Sequence, residues 1–150
     1  MSLTVFAPID GAVVPLEQVP DPVFSERMLG DGVALDPAGD TIYAPIDGKI
    51  INFNKALHAL VIAQNGIEIL IHVGLETVSL KGEGFETFVE ENQKVKVGDK
   101  LVKMDVEFIE KNAKSSMPIV VFTNLSEGES VKLVEGTVKA GELNKIEIVK

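Results

Sequence analysis

The sequence predicts an all-β fold, a compact antiparallel β-sandwich or flattened barrel with a duplicated hairpin motif and one or two short helices. Three observations carry this. Short runs rich in Val, Ile, Leu and Phe recur along the 150 residues, separated by turns bearing Gly, Pro, Asn or Asp. The pentapeptide Ala-Pro-Ile-Asp-Gly occurs at Ala7 to Gly11 and again at Ala44 to Gly48. Each copy leads into an apolar run, Ala12-Val13-Val14 or Lys49-Ile50-Ile51, which marks a duplicated corner. Helical signals are confined to two brief stretches.

Taken in order, the first corner opens a strand. Asp21-Pro22 before Val23-Phe24-Ser25-Glu26-Arg27-Met28 then predicts a short helix with Asp21 as N-cap, Pro22 at the first helical position and Gly30 as the stop. Strands are expected at Val33 to Leu35 and Thr41 to Ala44, then from the second corner. Ala59 to Ala63 and Ile67 to Val73 flank a turn at Gln64-Asn65-Gly66 and predict an antiparallel hairpin. Phe85 to Val89 and the pair around Gly98-Asp99 continue the pattern. Val106, Ile109 and Ala113 share one helical face. Pro118 is expected to close that region, before strands at Ile119 to Thr123, Val131 to Val134, Thr137 to Lys139 and Lys145 to Val149.

Composition bounds the function. Residues 1–150 read as a single domain, and a chain of this length buries roughly 68–70% of its unfolded surface. With 45% hydrophobic residues and no Trp, aliphatic side chains must fill the core. A net charge of -9 disfavours nucleic acid and anionic lipid and suits a basic protein partner. No Cys is present, which excludes disulfides, thiolate nucleophiles and cysteine zinc sites. No apolar run approaches the ~20 residues of a spanning helix and no leader-like N-terminus is evident. A soluble, cytoplasmic protein without direct membrane insertion is the expectation.

The stretch Gly66 to Phe85, GIEILIHVGLETVSLKGEGF, carries the chemistry. A strand delivers His72 to its own end, where Gly74 breaks the pattern. The one other histidine, His58, stands at the start of the facing strand, so the hairpin is expected to bring the two imidazoles together. Two histidines and many carboxylates leave general acid/base work, a metal site, or phosphoryl transfer through imidazole. A carbonyl near Val73-Gly74 that accepts from Nδ1–H fixes the tautomer and leaves Nε2 unprotonated, as a nucleophile requires.

The run Ile69 to Phe85, ILIHVGLETVSLKGEGF, closely resembles the phosphorylation-site signature of glucose-class enzyme IIA of the bacterial phosphoenolpyruvate:sugar phosphotransferase system. Further matches span nearly the whole chain: both Ala-Pro-Ile-Asp-Gly copies, Asp21-Pro22-Val23-Phe24-Ser25 with Met28-Leu29-Gly30-Asp31-Gly32, His58-Ala59, Val95-Lys96-Val97-Gly98-Asp99 and Ala113-Lys114-Ser115. The resemblance implies a carrier that takes a phosphoryl group from the phosphocarrier HPr and passes it to a cysteine on the IIB domain of a sugar permease. It implies phosphorylation of His72 at Nε2, stabilisation of the phosphoryl oxygens by His58, and orientation of His72 by the carbonyl of Gly74. Neither metal nor nucleotide is required. The chain departs from the family pattern at Ala56, where a threonine usually supports the second histidine. Glu76 stands for the common aspartate, and Ser126 for an aspartate of some members. Nor does the N-terminal extension of enteric members precede the first strand.

A transfer site that serves two proteins in turn is expected in a shallow depression with an apolar rim. Val33, Leu35, Leu57, Leu60, Val73 and Val78 are the candidates for that rim. Glu76, Asp31 and Glu83 are candidates for steering a basic donor. Two other readings use the same histidines. A zinc peptidase of similar architecture needs further histidines in a His-x-His arrangement, and the sequence has none. A regulatory module that carries the phosphohistidine as a signal, with its own protein targets, needs only the site. Zinc at His58 and His72, completed by a partner's carboxylate across an interface, is compatible with either the carrier or the regulator. The sugar, the particular IIB partner and the oligomeric state are not written in the sequence.

Overall fold

Burial alternates along residues 68–73 and runs unbroken through residues 32–35 and 118–122, which marks the strands covered on both faces. In a computed structural model, residues 4–5, 8–53, 59–64, 66–75, 77–125, 130–133, 136–138 and 146–149 are described. The strands, in chain order, are β1 Thr4–Val5, β2 Gly11–Pro15, β3 Asp31–Pro37, β4 Thr41–Tyr43, β5 Gly48–Phe53, β6 Ala59–Gln64 and β7 Ile67–Leu75. They continue as β8 Phe85–Thr87, β9 Lys94–Val95, β10 Lys100–Met104, β11 Ser115–Phe122, β12 Ser130–Leu133, β13 Gly136–Val138 and β14 Ile146–Val149. Among the described residues the helical elements are α1 Pro22–Ser25, α2 Val106–Asn112, and short 3₁₀ turns at Leu16–Gln18 and Thr77–Leu80.

Eight strands form one antiparallel sheet in the order β13-β2-β3-β11-β7-β6-β5-β9, and β4-β10-β8 form a second. A third contains β1-β14-β12. Among the described residues the sheets stay open, so the sandwich form of the expectation holds and the barrel form does not. Inward residues of β3, β5, β6, β7 and β11, including Val33, Ile50, Ile62, Ile71 and Val120, join Ile42, Leu101, Val102 and Met104 of the second sheet and Ile109 of α2 in one core. The opposite face of the large sheet carries a smaller cluster. There Ala34, Leu75, Ile119 and Val121 lie under Leu16, Val19 and Phe24. The large sheet therefore has two covered faces, and α1 belongs to the smaller cover.

The duplicated pentapeptide builds equivalent corners. Ile9 and Ile46 are both buried, and the glycines that follow open β2 and β5. A Cβ on Gly11 would collide with the Asp36 carbonyl of β3, and one on Gly48 with the Ala63 carbonyl of β6. Both glycines are required because another strand's backbone passes at that point.

Three local expectations change. Helix α1 ends at Ser25, before Met28, and Gly30 does not stop it. Arg27 takes a left-handed conformation at φ 57°, with Met28 N–H donating to Val23 O and Arg27 N–H to Phe24 O. That pairing is the Schellman arrangement, so an arginine occupies the place usually given to glycine. Pro118 sits inside β11, where the pairing with β7 shifts register between Ser115 and Pro118, and a bulge accommodates the missing N–H. Strand β3 also runs two residues beyond the apolar core of Val33 to Leu35 on each side. As expected, Asp21 caps α1 by accepting from Val23 N–H at 3.0 Å. Asp105 caps α2 in the same way, accepting from Phe108 N–H at 3.1 Å.

Candidate functional site

His72 lies in β7 with Ile119 of β11 on one side and Ala59 of β6 on the other. Residues 69, 71 and 73 face the main core, which turns Leu70 and His72 to the α1 side. There the Phe24 ring meets the imidazole with centroids 5.0 Å apart and planes tilted by 59°. This is a favourable edge-on geometry for two aromatic rings. His72 remains half-buried, so the ring is packed on one side and still within reach of solvent.

Beyond His72 the strand breaks its alternation. Leu75 belongs to the α1-side cluster although its odd position would place it with Ile71 and Val73. Gly74 makes the change, at φ 78°. A Cβ there would lie 2.5 Å from the Ser115 carbonyl oxygen and 2.6 Å from Thr77 Cγ2. The distortion brings the Gly74 carbonyl to His72, whose Nδ1 donates to it at 2.8 Å. Because a carbonyl only accepts, Nδ1 carries the proton, and the lone pair of the neutral ring is on Nε2. Thr77 is fully buried and donates from Oγ1 to Val73 O at 2.7 Å, and Lys114 N–H donates to Leu75 O at 3.1 Å. These bonds secure the backbone on both sides of the orienting carbonyl.

The α1 segment is secured in turn by Arg27. Its guanidinium bonds Glu17 within the first 3₁₀ turn and, from Nε, Asp31 Oδ1 of β3 at 2.9 Å. The hydrogen bond from Arg27 holds the Glu17 carboxyl below its ordinary value, and the Glu17 bond raises Arg27. Asp31 Oδ1 also accepts from Gly32 N–H at 2.9 Å. That carboxylate thus serves the local frame.

His58, Leu57, Ala56, Glu76 and Ser126 lie outside the described residues, as does the side chain of Val78. Ala59, the residue after His58, pairs directly with His72. Four rim candidates need correction. Val33 is 0% exposed and Leu35, Leu60 and Val73 are 1% exposed, all within the main core, where none can meet a partner. They sit near the site along the chain but point through the sheet. Proximity in sequence does not give the face; the parity of each strand does. The exposed apolar side chains near the site are Val23, Met28 and Leu29, on and just after the segment that presses Phe24 onto His72. The available signal was Met28-Leu29, two large apolar residues between an arginine and a glycine in a short connection. Among the described residues no group of three or more His, Cys, Asp or Glu is assembled that could hold a metal ion, and no helix is long and apolar enough to cross a membrane.

Comparison with known proteins adds a family to this geometry. The family model for the phosphoenolpyruvate-dependent sugar phosphotransferase system, EIIA 1, matches residues 3–128. A PTS system glucose-specific EIIA component of Bacillus cereus is 52% identical over 134 residues, covering 89% of this chain and 81% of the relative. The protein of the same name from Mycoplasma capricolum is 44% identical over 144 residues, covering 95% and 93%. A solved structure of glucose permease IIA from Mycoplasma capricolum superposes with a TM-score of 0.91 at 42% identity, across 97% of this chain and 96% of that one. With the signature around His72 inside the matched region and the fold shared almost end to end, the chain belongs to the EIIA 1 family of the phosphoenolpyruvate-dependent sugar phosphotransferase system.

Proposed function

We propose that the protein is a cytoplasmic phosphoryl carrier in which His72 Nε2 accepts a phosphoryl group from phosphorylated HPr and delivers it to a cysteine of a permease IIB domain. The observation that carries this reading is the 2.8 Å bond from His72 Nδ1 to the Gly74 carbonyl. In the first transfer the donor's P–N bond breaks as a bond from Nε2 to phosphorus forms. The ring, still protonated at Nδ1, then bears positive charge, and its bond to Gly74 O becomes charge-assisted and stronger. In the second transfer a thiolate attacks, the P–N bond breaks, a P–S bond forms and neutral His72 returns. A loose, metaphosphate-like transition state asks mainly for position and for donors aimed at the equatorial oxygens. His58 is the proposed donor, supported by the pairing of its neighbour Ala59 with His72.

Val23, Met28 and Leu29 replace the buried rim candidates as the proposed contact surface for HPr and the IIB domain. Relatives named as glucose-specific support a glucose-class permease as the recipient. A zinc ion shared by His58, His72 and a partner's carboxylate is a separate proposal, checked by titrating zinc into the mixture with the IIB domain and reading complex formation.

Incubation with phosphoenolpyruvate, enzyme I and HPr is expected to label His72 with acid-labile phosphate, and label appearing on the His72→Gln variant would overturn the assignment. His58→Gln should still be labelled but transfer poorly to a glucose-class IIB domain; equal transfer removes its helper role. Labelling with no transfer to any of a panel of IIB domains would favour the regulatory module.

A further inference from the structure

At the far end of β6, about 13 Å from Ala59 at 3.3 Å per residue, the sheet carries a second chemical feature. A depression of about 500 Å³ is lined by Asp47, Lys49 of β5, Ala63 and Gln64 of β6, and Lys94 and Lys96 on and beside β9. It is an open surface depression, so a ligand there stays in contact with solvent. The cross-strand row Lys94, Lys49, Ala63, Glu68 explains its shape, since alanine is the short member between longer side chains.

The charge there is unusual for this chain. Acidic residues outnumber basic ones by 23 to 14, yet three lysines converge on one depression. Lys49 and Lys94 are direct cross-strand partners, an arrangement that repels. Among the described residues the ion pairs involve Arg27 and Lys111, and none involves these three lysines. Two carboxylates stand nearby and hydrogen-bond to backbone, Asp47 Oδ1 accepting from Val97 N–H at 2.8 Å and Asp99 Oδ2 from Lys96 N–H at 2.9 Å, so three lysines face one lining carboxylate in Asp47. Glu68 is two strand spacings from Lys49, about 10 Å. A lysine on an exposed edge such as β9 ordinarily prevents edge-to-edge pairing. That purpose does not call for Lys49, which lies on β5 between β6 and β9.

We infer that the Lys49, Lys94 and Lys96 hollow binds a small free polyanion of the phosphate-ester or pyrophosphate class, whose charge offsets the built-in repulsion. Ammonium groups suit such a ligand as point charges, and the Gln64 amide adds a neutral donor. The site is separate from His72, and its occupancy is independent of the transfer reaction.

The test uses inorganic pyrophosphate, without metal, titrated into the full chain labelled with ¹⁵N. Amide shifts are expected at Gly48, Lys49, Val95 and Lys96, with binding weakened about tenfold by removal of one charge-assisted contact, as in Lys49→Gln or Lys94→Gln. Shifts confined to Val73 and Gly74, no shifts, or equal binding by a Lys49→Gln/Lys94→Gln/Lys96→Gln variant would overturn the inference. A thermal scan gives a second reading. Without anion Lys94→Gln should raise the midpoint, and pyrophosphate should raise that of the wild type more than that of the variant; the reverse pattern counts against the site. Vesicles containing phosphatidylserine supply phosphate on a lipid. Lysine-dependent cosedimentation without pyrophosphate shifts would make the ligand a membrane surface and sink the free-anion assignment.

Discussion

The β6–β7 hairpin has two ends of opposite character. At the His72 end one imidazole is constrained by the Gly74 carbonyl and by the Phe24 ring, and the neighbouring backbone is tied through Thr77. At the Gln64 end three lysines share a hollow without an ion pair among the described residues. The first end is preorganised: the fold already fixes the ring and its tautomer, which is the geometry that the proposed transfer asks for. The second gathers three exposed lysines around a depression that Asp47 also lines. The same strands thus hold one side chain in a single orientation at one end and gather like charges at the other.

The strongest way to break this contrast is Gly74→Ala. The new methyl meets the Ser115 carbonyl and Thr77 Cγ2, and the residue must hold φ 78°. Overpacking and left-handed strain together predict a loss of about 2–5 kcal/mol. Chemical denaturation measures that loss, and imidazole ¹⁵N shifts at pH above the His72 titration report whether Nδ1 remains the protonated nitrogen. A variant of unchanged stability and tautomer would show that the carbonyl's position does not depend on glycine.

A smaller break is Thr77→Val, which keeps the shape and removes the 2.7 Å bond to Val73 O in a fully buried place. Leaving that carbonyl short of a donor should cost about 1–3 kcal/mol. The same Nδ1 readout should move only slightly, because Gly74 still carries the bend. If instead the tautomer is lost, Thr77 rather than Gly74 is what sets the carbonyl.

These experiments bear on residues that differ in how plainly the sequence announces them. The two glycine corners were legible because an identical pentapeptide preceding two apolar runs has few structural meanings. The β6–β7 hairpin was legible because β-favouring runs flank a turn signal. The bend at Gly74 was legible as a break in pattern, and the acceptor it supplies to Nδ1 has the expected place in the chain. The face of each strand residue was harder to read. Val33, Leu35, Leu60 and Val73 needed the phase of three strands fixed against one another, and that phase depends on β3, β7 and β11 pairing across large separations in the chain. The contact of Phe24 with His72 crosses 48 positions and has no local signature. Arg27 misled for a different reason: its left-handed backbone is held by Glu17 and Asp31, so tertiary bonds override the residue preference from which Gly30 was expected to end α1.

The smallest effect sharpens the same comparison through pH. Glu17 is paired with Arg27, and its carboxyl is held below the ordinary value chiefly by that hydrogen bond. A carboxyl lowered in the folded state binds its proton less readily there than in the unfolded chain, so the pair stabilises above the unfolded value and loses its contribution as pH falls through the lowered folded value. Both side chains are about half exposed, with relative accessibilities of 41% and 56%, and solvent screening limits the contribution to about 0.2–1 kcal/mol. Glu17→Gln is therefore expected to lower stability slightly at neutral pH and to flatten the acid limb of a stability-against-pH curve measured by urea denaturation. High salt should shrink the difference between variant and wild type. An unchanged acid limb would mean that Asp31 alone holds Arg27, and with it the turn that sets Phe24 against the imidazole.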